Sequence, residues 1–499
     1  MKCKQLFLIS HLIVGASALV LLLSGLRIAS QQYAIWLELD WLLPSGLVHV
    51  WHMRAGLCLL VSLPIMLFCL YRNRKEVGVL GKLNVLGSGL LVASLLTGVL
   101  QFVFDITGRV VLELHYFLAL GFIGFITIHP LRYYFSKPLS YLVAVVFRPL
   151  FSLRGHVYAG VIVVSGLLLY FIILSKPATL NVSSMSDGTF IRIDGKQEEA
   201  AWDRSAALSV TTFAGANFFD GSTDVSIKAL HNSSETYFFV RWKDPTKSEN
   251  HLPIVKTSKG WIVKSNGFEK FDEKAFYEDK FAMLFSKSCN IAAAGTAHLG
   301  ARPSQALPVN SHGKGYHYTE QGIADLWQWK AVRTNAMYLM DDNYIGMPPT
   351  PVSGVKRYTA GYQQDADYGG SYVMNWRWYN KDGVTPKRVP VNSDEDATGF
   401  ASWFDYRTYN ADEDTLPEGS VIKSVLYRSN QIEGGRADVR AFGVYKDGYW
   451  NLEVVRKKQA SEPTDLNLDE GICMWVSAFD RAQIAHTRHV KPLKLHFEK

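Results

Sequence analysis

The sequence predicts a transmembrane α-helical bundle of five helices followed by an all-β sandwich-type soluble domain. Three observations predict it. Apolar runs long enough to span a bilayer are confined to the part before about residue 175. Beyond Pro177 the chain turns rich in Asp, Lys, Asn, Gly, Tyr and Trp, and short strands alternate with turn residues there. The near-zero mean hydropathy is the average of these two unlike parts. The reading is a membrane domain over 1–175, a linker over 176–188 and a soluble domain over 189–499, the last large enough for a substantial core.

Five segments meet the length test for a span: Leu6 to Leu26, Val48 to Tyr71, Leu83 to Phe104, Val111 to Tyr133, and His156 to Leu174. The first follows Lys2 and Lys4 as a signal peptide would, yet no small-residue cleavage site precedes Arg27, so it reads as a retained helix. Pro138 to Phe151 is apolar but interrupted by Arg148-Pro149, and reads as a segment lying along the interface. Lys2, Lys4, Arg72, Arg74, Lys75, Lys82, Arg132, Lys137, Arg148 and Arg154 all fall on one side, whereas the opposite loops carry Glu38, Asp40 and Asp105. By the positive-inside rule the N-terminus is cytoplasmic, and five crossings leave the C-terminal domain outside, in the periplasm of a bacterium with an inner membrane.

Histidines interrupt these apolar helices at matched depths. His115 and His129 stand fourteen residues apart in one helix, which at about 100° and 1.5 Å per residue places them on nearly one face and about 21 Å apart along the axis. His11 lies at the cytoplasmic end of the first helix, and His49 and His52 at the outer end of the second. Topology therefore pairs His11 with His129 on the inner side, and His52, with His49 as the alternative, with His115 on the outer side. One histidine alone would be explained by packing or by reaching to the interface. Four at matched depths form two bis-histidine sites, the ligand set by which two b haems are held across a bilayer. Gly15 and Gly56, each four residues beyond a histidine, would let a flat macrocycle approach the backbone. His156, followed by Gly160, is a spare at the inner surface that would replace His11 or serve a propionate or quinone site.

His11, His52 with Gly56, the Leu96-Thr97-Gly98 stretch, and the His115/His129 pair resemble the b-type cytochrome subunits of bacterial formate dehydrogenases and nickel-iron hydrogenases, related to bacterial cytochrome b561. The resemblance covers about residues 5 to 135. It implies an outer haem on His52 and His115 and an inner haem on His11 and His129, the pairing reached above from topology.

The soluble part reads as β. "VSIKALHNSSETYFFVRWKD" is two strands around Asn232-Ser233-Ser234, and "RAFGVYKDGYWNLEVVRK" is a hairpin around Lys446-Asp447-Gly448. Cys289 and Cys473 are its only cysteines, and their spacing does not establish a bond. No Cys-x-x-Cys-His motif occurs, so any haem should be b-type. "RIDGKQEEAAWD" (Arg192 to Asp203), "VRWKDPT" (Val240 to Thr246), "EDKFAMLFS" (Glu278 to Ser286), "ADLWQWKA" (Ala324 to Ala331) and "DGYWNLEVVRK" (Asp447 to Lys457) resemble the haem-binding domain of ethylbenzene and dimethylsulfide dehydrogenase γ subunits. That resemblance spans most of Thr189 to Phe497. It implies a sandwich with one b haem held by methionine and lysine, relaying electrons for a molybdenum enzyme, and puts Met283 and Lys330 forward as ligands. Core packing of Met283 and cation–aromatic packing of Lys330 near Trp327 or Trp329 are the competing readings. Lys491 is a second possible lysine, and His298, His312 and His317, in a longer middle region than the γ subunits have, are further candidates.

Together these readings describe electron transfer: a quinone or quinol in the membrane lipid, two membrane haems, a third haem in the outer domain, and a periplasmic redox protein or molybdoenzyme as partner. No molybdopterin, flavin, iron–sulfur, P-loop or dinucleotide motif is present. The net charge of +7 is accounted for by inner-face cations and does not argue for nucleic acid. Two other classes fit less of the pattern: a membrane-tethered carbohydrate-like binding module, and a transmembrane reductase of metal ions or small oxidants.

Overall fold

The computed structural model describes residues 3–29, 43–44, 48–72, 82–103, 109–136, 177–270, 272–289, 298–300, 316–319, 322–347, 349, 361–365, 372–391, 396, 398–402, 404–427, 434–489 and 491–499. The chain divides into two compact units, Met1–Lys176 and Pro177–Lys499.

Four helices form the described part of the first unit: α1 (Cys3–Ala29), α2 (Val48–Arg72), α3 (Lys82–Val103) and α4 (Arg109–Ser136). All four are long and apolar enough to cross a membrane. The fifth expected span, His156 to Leu174, and the interfacial segment before it lie outside the described residues. The helices bury a narrow seam: Val14 and Ala18 of α1, Leu59, Leu63 and Met66 of α2, Leu91 of α3 and Phe122 of α4. Residues three or four apart line one face of a helix, so these spacings give α1 and α2 one inward stripe each. The remaining faces are apolar too, with Leu19, Leu60, Phe68, Leu86 and Phe117 exposed. A helix apolar on every side suits lipid rather than water. The first unit is a membrane anchor.

The second unit is built on a twelve-stranded sheet. Its strands are β1 (Ala178–Ser184), β2 (Leu208–Thr212), β3 (Thr223–His231), β4 (Glu235–Lys243), β5 (Lys280–Ser286), β6 (Ala324–Lys330), β7 (Asp341–Ile345), β8 (Tyr362–Gln364), β9 (Arg440–Lys446), β10 (Tyr449–Lys457), β11 (Cys473–Phe479) and β12 (Leu493–Phe497). The order runs β8-β7-β6-β5-β11-β12-β1-β3-β4-β10-β9, with β2 beside β3. β1 pairs in parallel with both β12 and β3 and so joins the two halves, while the other pairs of the sheet are antiparallel.

Both expected hairpins are present. Between β3 and β4, Asn232 Oδ1 accepts from the backbone of Ser234 and Glu235, a side-chain turn of the kind asparagine favours. Between β9 and β10, Asp447 and Gly448 both take positive φ, 54° and 80°, the two-residue turn whose twist matches the strands it joins.

The halves pack face to face through aromatic rings. Phe238 of β4 meets Phe285 of β5 and Trp327 of β6, and Trp242 of β4 meets Phe281 of β5 and Trp329 of β6. Trp242, Trp327, Trp329 and Trp450 are all essentially buried. A second core gathers Ile254, Trp261, Trp376, Tyr406 and Leu426 around short strands. A disulfide joins Cys289, just beyond β5, to Cys473 of β11.

Candidate functional site

The anchor brings four of its histidines together in two pairs. His52 of α2 faces His115 of α4 with ring centres 6.2 Å apart, and His11 of α1 faces His129 of α4, also at 6.2 Å. Metal–imidazole bonds of about 2 Å on each side, plus roughly 1.1 Å from each nitrogen to its ring centre, span about 6 Å. Each pair is therefore spaced to hold one iron between two imidazoles. Beside Gly15 a Cβ would meet nothing within 4 Å, and beside Gly56 only the tip of Leu21 at 3.9 Å. The donor set and the open backbone fit a b haem. Phe7 stacks on His11 and Phe125 lies against His129, giving the inner pair an aromatic flank. Of the two histidines at the start of α2, His52 is the one seen facing His115. The side chain of His49, and all of His156, lie outside what is described.

The outer unit does not bring Met283 and Lys330 together. Met283 pairs with Trp327 across β5 and β6, and directly opposed residues share a face. Lys330 stands three positions beyond Trp327 in the same strand, and an odd offset reverses the face. Met283 is fully buried in the aromatic core with Phe281 and Phe285, whereas Lys330 projects to the other side with Ala324 and Leu326. There its Nζ donates to Asp341 Oδ2 and lies 3.3 Å from the Tyr372 hydroxyl. An ammonium held in an ion pair has no lone pair to give to iron. The expected methionine–lysine ligand pair is thus not formed, because strand alternation separates the two side chains. His298 and His317 fall in a two-stranded sheet of their own, paired with Tyr318 and Leu299, and His312 lies outside the described residues.

A family model described as ethylbenzene dehydrogenase matches residues 199–491, more than half of the chain. This chain belongs to the ethylbenzene dehydrogenase family. No curated protein matches it. Among solved structures it is similar to a carbohydrate-binding module of family 9 from Caldicellulosiruptor kristjanssonii in complex with glucose, at 8% identity and a TM-score of 0.24 over 64% of this chain and 97% of that one. It is also similar to a putative carbohydrate-binding protein from Bacteroides uniformis, at 7% identity and a TM-score of 0.25 over 65% of this chain and 100% of that one. Overlap this low carries no argument about fold or ligand.

Within the ethylbenzene dehydrogenase-family unit, the short motifs of the sequence meet in space. Glu453 of β10 accepts from the backbone of Asp194 and Gly195 through Oε2, at 2.8 and 2.9 Å, and from Trp202 Nε1 through Oε1 at 3.2 Å. Asp194, Gly195 and Trp202 belong to the "RIDGKQEEAAWD" stretch, so one buried carboxyl seats the whole entry segment. Gly195 is required there twice over: its φ is +74°, and a Cβ would lie 2.8 Å from Val444 Cγ2.

Three more carboxylates converge at strand ends, two of them from those motifs. Asp244 follows β4, Asp279 precedes β5 and Asp480 follows β11, all buried, with one oxygen of each within 4.8 Å of the others. Burial and the neighbouring Asp480 raise the Asp244 carboxyl to about 7, and burial with Asp244 raises Asp279 as well. Asp279 is held by Ser248 N, Arg481 N and Trp450 Nε1. Asp325, Asp342 and Asp465 form a second such group around Arg456, which pairs with Asp325 at 3.2 Å and Asp465 at 2.6 Å. Burial raises Asp325 to about 7 against the pull of Arg456. Sequence reading missed both groups, because their members lie 17 to 236 positions apart and no local pattern links them.

Proposed function

We propose that this chain is a membrane-anchored b-type electron-transfer protein of the bacterial inner membrane, linking the quinone pool to a periplasmic redox partner such as a molybdoenzyme. The observation that carries the reading is the pair of facing imidazole couples, His52–His115 and His11–His129, on the four described helices of the anchor. The b haems these couples would hold supply one-electron carriage across the lipid. The chain's own part is to place two imidazoles at each depth, to keep the spacing with helices packed through Val14, Leu59, Leu63 and Phe122, and to exclude water with apolar faces.

Family membership supports an electron-transfer-related role for the outer unit. The Cys289–Cys473 disulfide supports its placement in an oxidising compartment, in line with the positive-inside orientation of the helices. Met283 and Lys330 do not fit as an axial pair, so the outer unit enters the proposal as the surface that meets the partner.

Haem stoichiometry by pyridine haemochrome on the purified full-length chain tests the reading. Two b haems per chain are expected, with one lost in His115→Ala and in His52→Ala, and the other in His11→Ala. A chain without haem, purified from haem-replete cells, would overturn it. A third equivalent would place a haem in the outer unit on ligands other than the Met283–Lys330 pair.

A further inference from the structure

We infer that Ser24 and Thr97 are positioning residues that set the tautomer and orientation of His52 and His115, so that this couple is preorganised by two hydroxyl seats. The inference rests on the haem reading above and adds to it the residues that hold one of the two sites. Ser24 Oγ lies 3.0 Å from His52 Nδ1, and Thr97 Oγ1 lies 2.9 Å from His115 Nδ1.

The direction of each bond follows from the hydroxyl's other contacts. Ser24 Oγ reaches the carbonyls of Val20 and Leu21, and Thr97 Oγ1 those of Ala93 and Ser94. A hydroxyl has one hydrogen, and here it is directed back along its own helix, so the oxygen presents lone pairs to the ring. Nδ1 of each histidine therefore carries the proton and donates, leaving the Nε2 lone pair for a metal. Outer partners of this kind fix the tautomer of a ligand histidine and raise its basicity.

Each hydroxyl residue is followed by glycine, and each glycine touches the same ring. A Cβ at Gly25 would lie 3.2 Å from His52 Cε1, and one at Gly98 would lie 3.3 Å from His115 Cε1. Contacts that short are tighter than ordinary packing, so the glycine leaves room for the ring that its neighbour holds. Hydroxyls commonly bond back to their own helix in membrane spans. That habit alone does not explain why both are aimed at an imidazole with a glycine beside it. α1 seats the histidine of α2, and α3 seats the histidine of α4, by the same hydroxyl–glycine dipeptide. At the inner couple His11 Nδ1 instead faces Met66 Sδ at 3.5 Å, a weak acceptor.

The test uses the full-length chain, with haem affinity, redox titration and low-temperature EPR on wild type, Ser24→Ala and Thr97→Val. Each variant is expected to lose about tenfold in affinity for one haem, the usual consequence of removing such a partner. The midpoint potential of that haem should move upward as the ligand becomes less basic, with the other haem unmoved. Ser24→Thr and Thr97→Ser keep the hydroxyl and should restore the wild-type signal. Gly25→Ala, which presses on His52 without removing a bond, should shift the EPR signal of the same haem. If the wild type carries two haems and both hydroxyl deletions leave affinity, potentials and EPR unchanged, the inference is wrong while the haem reading stands. A wild-type chain without haem removes both.

Discussion

Lys330 and Asp341 form a buried ion pair on the face of the sheet opposite Met283, closed in by Tyr372 and Arg436. Burial by itself would raise the Asp341 carboxyl, but Lys330 and Arg436 bring it down to about 2. The pair ties the edge of the main sheet to Tyr372, which packs with the neighbouring cluster of Val332, Val425 and Tyr427.

Removing Lys330 leaves the buried Asp341 carboxylate with Arg436 alone as its described cation. Lys330→Met should destabilise the outer unit by about 3 kcal/mol, as breaking a buried pair usually does. Urea unfolding of the full chain followed by tryptophan fluorescence measures it, and haem content should stay at the wild-type value. Loss of a haem in this variant would restore Lys330 as a ligand. The pH dependence has a definite sign: Asp341 has a lowered folded pKa, so its contribution is present above about pH 4 and fades as pH falls toward 2.

The carboxyl group at the ends of β4, β5 and β11 has the opposite sign. Asp244 sits near 7 in the fold against about 3.9 in the unfolded chain. The native state therefore binds the extra proton, and stability conferred by it is full below about pH 4 and lost as pH rises through about 7. Thermal unfolding should thus occur at a lower temperature at pH 8 than at pH 5.5. Asp244→Asn keeps the acceptor for Thr246 N and removes the charge, so it should flatten this dependence and stabilise the chain at pH 8 by ~1–2 kcal/mol. An unchanged pH profile in that variant would show that the group does not titrate in this range.

The Cys289–Cys473 bond closes a sequence separation of 184 residues and fastens the tail of β5 to β11. Reduction, or Cys473→Ser, should cost roughly 2–5 kcal/mol. Denaturant midpoints with and without reductant would give the value, and identical midpoints would mean the bond is not formed in the purified protein.

Glu453 supplies acceptors for three N–H groups of the entry segment. Glu453→Ala leaves them unpaired next to buried Trp202, and about 3 kcal/mol of stability should go with them. Hydrogen exchange should show the loss concentrated in residues 191–205. Uniform loss across the sheet would argue that Glu453 acts on the core as a whole.

Much of the architecture was legible in one dimension because it rests on local periodicity. Apolar length marked α1 to α4, turn residues marked the β3–β4 and β9–β10 hairpins, and histidines at matched depths paired His11 with His129 and His52, with His49 as the alternative, with His115, since a rigid helix converts sequence spacing directly into depth. What only the tertiary structure decided depends on faces and on distant partners. Strand parity put Met283 and Lys330 on opposite sides of one sheet, a distinction set by inter-strand register that neither short motif carries. Ser24 and Gly25 came against the His52 ring only when α1 packed against α2. The carboxyl groups of Asp244, Asp279 and Asp480 met only when three strand ends from different parts of the chain were brought to one edge, where burial sets their proton affinity.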